Sequence, residues 1–434
     1  MVTETKSLDY FVFRKKQNSL VFFAFLFILI KDVIVRFNSF IGISNGSTEL
    51  IFTLNLLSVL SLLIVAKSFG IRGDIPKSSL LFLRLFVLWN VISFARGVIN
   101  ASDYWDWKML LLNYSFSISL PIVIVAGVHF EFLIKTFRFI LNKLFLLGFA
   151  IIPIALTTDS ELYARIMMAV GLFVLFIPYL KLRWRLLVVI VAIFSFAIDL
   201  NYRINLLRVM FPFFLISLYL YKRAIPKGIF NFVLIIMLLT PLVFLYLGVN
   251  NVFNVFTDSI LNIFDTEYST VMNGEILMQD ISMDTRTFLY REVFSSMAYK
   301  DSSFMLGEGG ATGYLTDFFE SYTLNDRGRY ASEVGFLNTV LRSGAIGVIL
   351  YMLMLFIPAY YAINKSSNYL SKTLGIFLAS HWIIFFIEDI TDFDANYFCI
   401  WVTIGLCLSN KFRSLSDMQV KQFFKLDNNL TLKN

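Results

Sequence analysis

Histidine and cysteine are nearly missing from this chain, and charge is scarce. The two histidines, His129 and His381, stand alone, and no His–carboxylate cluster occurs at ligand spacing, so no metal site is expected. Both cysteines, Cys399 and Cys407, fall in the last apolar stretch, and neither a disulfide nor a metal framework follows from them. Charged residues make up 15% of the 434, where an ordinary soluble domain carries about 25%. No cleavable leader is visible. The first apolar run starts near Ser19, has no small-residue cleavage site after it and reads as an anchor. Internal repeats and low-complexity tracts are missing too.

What the chain has instead is apolar bulk: 58% hydrophobic residues and 48 Phe. Bilayer hydrocarbon tolerates that much Leu, Ile and Phe at a surface, and water does not. The expectation is an all-α polytopic membrane protein of about twelve spans, at 19–37, 50–66, 79–95, 109–127, 138–156, 166–180, 186–199, 204–221, 229–248, 335–362, 373–388 and 395–410. The run at 186–199 is short for a crossing of about 20 residues, so it is tilted, broken or re-entrant. The formal charge of +7 sits in short clusters between apolar runs, which encodes topology and argues against a nucleic-acid partner. Lys6, Arg14, Lys15 and Lys16 precede the first span, and Lys67, Arg72 and Lys77 follow the second. Alternate connections continue the series, whereas those between them hold Arg96, Lys108, Arg165 and Arg203. By the positive-inside rule both termini are cytoplasmic. The chain divides into spans one to nine (1–247), a large outer loop (248–332), spans ten to twelve (333–410) and a cytoplasmic tail (411–434).

The loop is the exception among short connections, and loops longer than about 15 residues are uncommon unless functional. Residues around Arg286 to Ala298 have helical character, and Tyr314, Leu315, Phe318 and Phe319 suggest a second short amphipathic helix. Together they predict a helical cap on the outer face.

Four features there carry chemistry. Arg203 stands at an outer helix end and Arg208 lies inside the span, where a guanidinium is costly without a partner or an aqueous cavity. Its planar fork suits phosphate oxygens. The alternative is that Arg203 snorkels to headgroups and Arg208 pairs with a buried acid. Arg286 and Arg291 flank Tyr290 on the cap; one of them faces a cavity, or both belong to a salt-bridged surface. Gly307 and Gly309 open a glycine-rich stretch whose backbone N–H groups either cradle phosphate or simply turn the chain. It is no nucleotide P-loop, since no Lys-Ser/Thr follows. Glu333 stands where the loop re-enters the membrane, as a base for a sugar hydroxyl or a charge complementing the helix dipole. Arg342 lies deeper and needs a partner or cavity as well, while Gly344 and Gly347 permit close helix approach. Glu388, Asp389, Asp392 and Asp394 form an acidic connection that is solvated, pairs with arginines or holds a divalent cation.

In this order and sidedness, Arg203, Arg286 with Tyr290, Gly307 with Gly309, Glu333 through Leu337, and Gly344 with Gly347 resemble the O-antigen polymerase and ligase superfamily. The resemblance covers about 199–350 and matches the first half only in hydropathy. It implies a GT-C-like glycosyltransferase of the bacterial inner membrane. The enzyme would use undecaprenyl-pyrophosphate-linked oligosaccharide at the periplasmic face, without cofactor, metal or nucleotide. A chain-length regulator and a flippase are the implied partners. Ligases carry His-Asn where this chain has Glu333-Val334, which favours a polymerase of O-antigen or capsular repeats. In that reading Arg203 and Arg286, helped by Arg291 or Arg208, neutralise the leaving pyrophosphate, and Glu333 takes the acceptor proton. A ligase acting on lipid A core, a flippase for lipid-linked oligosaccharide and an inactive assembly subunit are the competing readings. A flippase would not need the loop and should show two similar halves.

Overall fold

The computed structural model describes residues 2–41, 48–69, 74–149, 152, 163, 167, 169–197, 203–221, 225–249, 267–272, 275–280, 287–300, 303–316 and 328–424. Helix dominates, because long runs of Leu, Ile and Phe with little Gly or Pro leave each N–H to bond within its own segment. Among the described residues, five helices are long and apolar enough to cross a membrane: Lys16–Val35, Thr48–Ser68, Lys77–Asn100, Tyr104–Val128 and Gly335–Asn364. Arg208–Ser217, Lys227–Val243 and Ala395–Leu408 are apolar but shorter. Leu60, Leu63, Leu88, Val91, Leu239 and Leu242 stand exposed on these helices, an outer surface that suits hydrocarbon.

Local chemistry breaks several expected spans into short turns. The Tyr104–Val128 stretch contains a π-turn at Leu110–Tyr114 and a 3-10 turn at Leu120–Val123, where Pro121 lacks an amide donor. The expected span at 166–180 contains a helix at Val170–Val174 and a 3-10 turn at Ile177–Tyr179 that includes Pro178.

The loop is not purely helical. Glu267–Met272 pairs antiparallel with Glu275–Asp280, Met272 opposite Glu275. Asn273-Gly274 in the sequence between them is a strong hairpin signal that the helical expectation passed over. The cap helix forms at Thr287–Tyr299 and buries Leu289, Tyr290, Val293 and Met297. The second amphipathic helix is not found at its start: Tyr314 is extended and bridges Arg329, while Phe318 and Phe319 lie outside the described residues.

The core centres on the Ala395–Leu408 helix, in which every residue from Tyr397 to Leu408 is buried. Phe398 packs on Phe25 (5.4 Å between ring centroids) and Trp401 on Phe86 (5.7 Å). A Cβ on Gly127 would meet the Val402 carbonyl at 2.2 Å, so here two backbones touch directly.

Polar contacts tie distant segments together in two groups. In one, the Asp74 carbonyl and carboxylate accept from the Asn410 and Lys411 amides, Lys411 pairs with Glu131 (2.5 Å), and Arg413 donates to the Lys365 carbonyl. In the other, Lys31 donates to the Phe393 carbonyl, Tyr330 to Asp106, and Arg208 pairs with Glu388.

Candidate functional site

The Gly335–Asn364 helix begins on a locked turn: Asn338, fully buried, accepts from the Ser332 amide (2.7 Å) and donates to its carbonyl (2.8 Å). Nine residues on, the helix breaks. Gly344 has φ 66° and ψ −172°, a region essentially closed to side chains. Such a break leaves backbone groups without helical partners, and buried orphans of this kind are costly.

The glycine-rich strap at 303–309 fills the break. Glu308 N–H donates to the Leu341 carbonyl (2.7 Å) and Gly309 N–H to that of Arg342 (3.0 Å). Beyond the break, Ala345 N–H donates to the Phe304 carbonyl (2.8 Å), and the Trp89 indole donates to Ser343 (2.8 Å). From the opposite side Arg96 donates to the Leu306 and Gly307 carbonyls (2.5 Å each), and Asn100 to Glu308 (2.8 Å). A Cβ on Gly309 would lie 2.6 Å from the Gly97 amide, which explains the glycine. The expectation that Gly307 and Gly309 cradle phosphate is therefore corrected. The amides of 307, 308 and 309 are all occupied, by Ser303, Leu341 and Arg342.

Just before the break, Arg342 lines a small, partly open cavity with Asn90, Tyr114, Thr339, Thr391 and Tyr397. Its guanidinium lies 6.0 Å from the Tyr114 ring centroid, at the limit of cation–π contact. Among the described residues no carboxylate pairs with Arg342. Tyr114 closes the π-turn, and Gly310 packs flat against its ring.

The connection that leads into the Ala395–Leu408 helix supplies the far wall. Thr391 lines the cavity and donates its hydroxyl to Asp389 Oδ1 (2.6 Å), which also accepts the Thr391 amide (2.8 Å). Asp389 Oδ2 accepts from the buried Asn338 amide (2.5 Å). A Cβ on Gly335 would stand 3.2 Å from Asp389 Oδ1 and 2.8 Å from Phe385, so this glycine makes room for the pair. Burial and the neighbouring Asp32 carboxylate push Asp394 up to about 7, and its side chain caps the Ala395–Leu408 helix by accepting from the Tyr397 amide.

The other anticipated residues lie elsewhere. Arg208 is buried and pairs with Glu388 (2.6 Å), the buried acid that one of the two sequence readings called for. It borders a second, narrow cavity with Ser380, His381 and Asn396. Tyr290 anchors the cap: its hydroxyl donates to the Phe386 carbonyl (2.6 Å) and its ring stacks on Phe336. Arg291 is exposed. Glu333 is 46% exposed and accepts from Arg329 (3.2 Å); it does not line the cavity. Arg203 opens the Arg203–Ser217 helix, with its side chain outside the described residues, as is Arg286 entirely. Arg96, which counted in the sequence only as a connection charge, and Thr391 stand in no recognisable motif, so the sequence points to neither as a site residue. Among the described residues no three His, Cys, Asp or Glu side chains gather as a metal site. Comparisons with family models, with curated proteins and with solved structures find no match to this chain.

Proposed function

We propose that this chain is a membrane glycosyltransferase that polymerises oligosaccharide repeat units carried on undecaprenyl pyrophosphate. The reading places it in the bacterial inner membrane as a GT-C-like protein of twelve spans, with the loop periplasmic and both termini cytoplasmic. The observation that carries the chemistry is Arg342, a cation without a carboxylate partner among the described residues, in a cavity walled by hydroxyl, amide and aromatic groups. Those groups suit a sugar, since ring faces pack on Tyr114 and Tyr397 while Asn90, Thr339 and Thr391 offer hydrogen bonds.

Transfer to an acceptor hydroxyl breaks the bond between the anomeric carbon and the pyrophosphate oxygen. Negative charge then grows on the leaving group, where a fixed guanidinium stabilises the transition state more than the ground state. Arg342 fills that role. Arg203 and Arg286 keep the phosphate-binding role that their position in the sequence suggests.

The test is extension of lipid-linked repeat units by membranes carrying Arg342→Ala. A fall in rate of about 100- to 1000-fold is expected, as for removal of one preorganised donor, with partial recovery in Arg342→Lys. Extension at the parental rate would remove Arg342 from the chemistry. The glycan profile of a deletion strain separates polymerase from ligase. A single repeat unit on its anchor marks loss of polymerisation, and long polymer held on undecaprenyl pyrophosphate marks loss of ligation.

A further inference from the structure

Glycosyl transfer needs a group that removes the acceptor proton, and the carboxylate nearest to hand in sequence, Glu333, is outside the cavity and paired with Arg329. The neighbouring acids are engaged as well. Glu308 pairs with Lys300, Glu388 with Arg208, and Asp106 accepts from Tyr330 and Ser102. Asp389 differs in where its bonds lead. One oxygen is fixed by Asn338, which is itself locked to Ser332, and the other holds the hydroxyl of Thr391 on the cavity wall. A hydroxyl that donates to a carboxylate has its lone pairs free to accept a second proton. The order from wall to interior is thus Thr391, Asp389, Asn338, an activated hydroxyl oriented by a buried network.

We propose that Thr391 is a catalytic residue of this cavity and Asp389 its positioning residue and proton acceptor. The proposal rests on the glycosyl-transfer reading. As the acceptor oxygen bonds to the anomeric carbon, its proton passes to Thr391 Oγ1 while the Thr391 proton passes to Asp389 Oδ1. The bond to the pyrophosphate oxygen breaks with its electron pair, and Arg342 compensates the charge left there. Asp389 ends protonated and Thr391 unchanged, and release of that proton to water resets the pair.

The experiment uses the full chain in nanodiscs, with two measurements: extension of undecaprenyl-pyrophosphate-linked repeat units, and binding of undecaprenyl pyrophosphate itself. Thr391→Val and Asp389→Asn are each expected to lower kcat by about 100- to 10,000-fold, the range for loss of general-base assistance, with KM and undecaprenyl pyrophosphate binding unchanged. Thr391→Ser, which keeps the hydroxyl, should restore most of the rate. Parental kcat in both Asp389→Asn and Thr391→Val overturns this assignment and leaves the glycosyltransferase reading intact. Loss in Glu333→Gln with parental rate in Asp389→Asn would return the base to Glu333. Loss of lipid binding together with kcat, without rescue by Thr391→Ser, would show a structural role only. A parental protein that extends nothing sinks the glycosyltransferase reading itself, and this assignment with it.

Discussion

Arg208 and Glu388 are each more than nine-tenths buried, and the desolvation they suffer is offset only while both are present. Removing one partner leaves a buried charge. Glu388→Ala should therefore destabilise the protein by about 3–5 kcal/mol, read as a fall in thermal midpoint in detergent. Replacing both, Arg208→Met with Glu388→Leu, should recover most of the loss, and a double variant no better than the single one would refute the pairing argument. The need for a partner was legible in the sequence, because a guanidinium inside an apolar run is expensive wherever it sits. Its identity was not, since Glu388 lies 180 residues away and only the folded chain brings them together. Glu333 shows the converse. Its position at the loop's re-entry was read from sequence, but a local partner four residues back, Arg329, takes its carboxylate.

At the scale of elements, the broken helix and the glycine strap explain each other. The sequence displayed two glycine features, Gly307 with Gly309 and Gly344 with Gly347, and each had a separate reading, as a turn or phosphate cradle and as a helix contact. Their common purpose was illegible, because backbone hydrogen bonds between distant segments leave no periodicity to detect. Gly344 is the sharpest test. A Cβ there would sit 2.3 Å from the Met305 carbonyl, on top of strain of about 1–3 kcal/mol from the backbone angles alone. Gly344→Ala should expel the strap, seen as faster amide exchange at 304–309 and a lower thermal midpoint. Unchanged exchange would mean that the strap does not depend on the break. Helical character around Arg286 to Ala298 was legible, but the exact inner face was not: Phe288, Val293 and Met297 stood out in the sequence, and the structure aligns Leu289, Val293 and Met297, four residues apart, as the buried stripe.

For the whole molecule, hydropathy revealed apolar segments, five of which are helices long enough to cross a membrane among the described residues. What hydropathy could not show is where Pro121, Pro178 and the π-turn divide a run into short pieces. Orientation across the membrane is open to a direct measurement. Tyr299 and Met418 are 82% and 72% exposed and lie in connections assigned to opposite faces, and both native cysteines are buried. Tyr299→Cys should react with an impermeant maleimide in cells whose inner membrane is intact, and Met418→Cys only after that membrane is permeabilised. The reverse pattern would invert the topology and move the cavity to the cytoplasm.

The buried helix Ala395–Leu408 has a consequence for how the chain is made. Its partners Phe25, Phe86 and Gly127 belong to the earliest segments to leave the ribosome. Those segments enter the bilayer long before the surface that completes them has been translated. Until then the nascent protein carries an unfilled groove, so a stop codon just before Ala395, which removes this helix and the two short ones after it, leaves the helices of Phe25, Phe86 and Gly127 without their common neighbour.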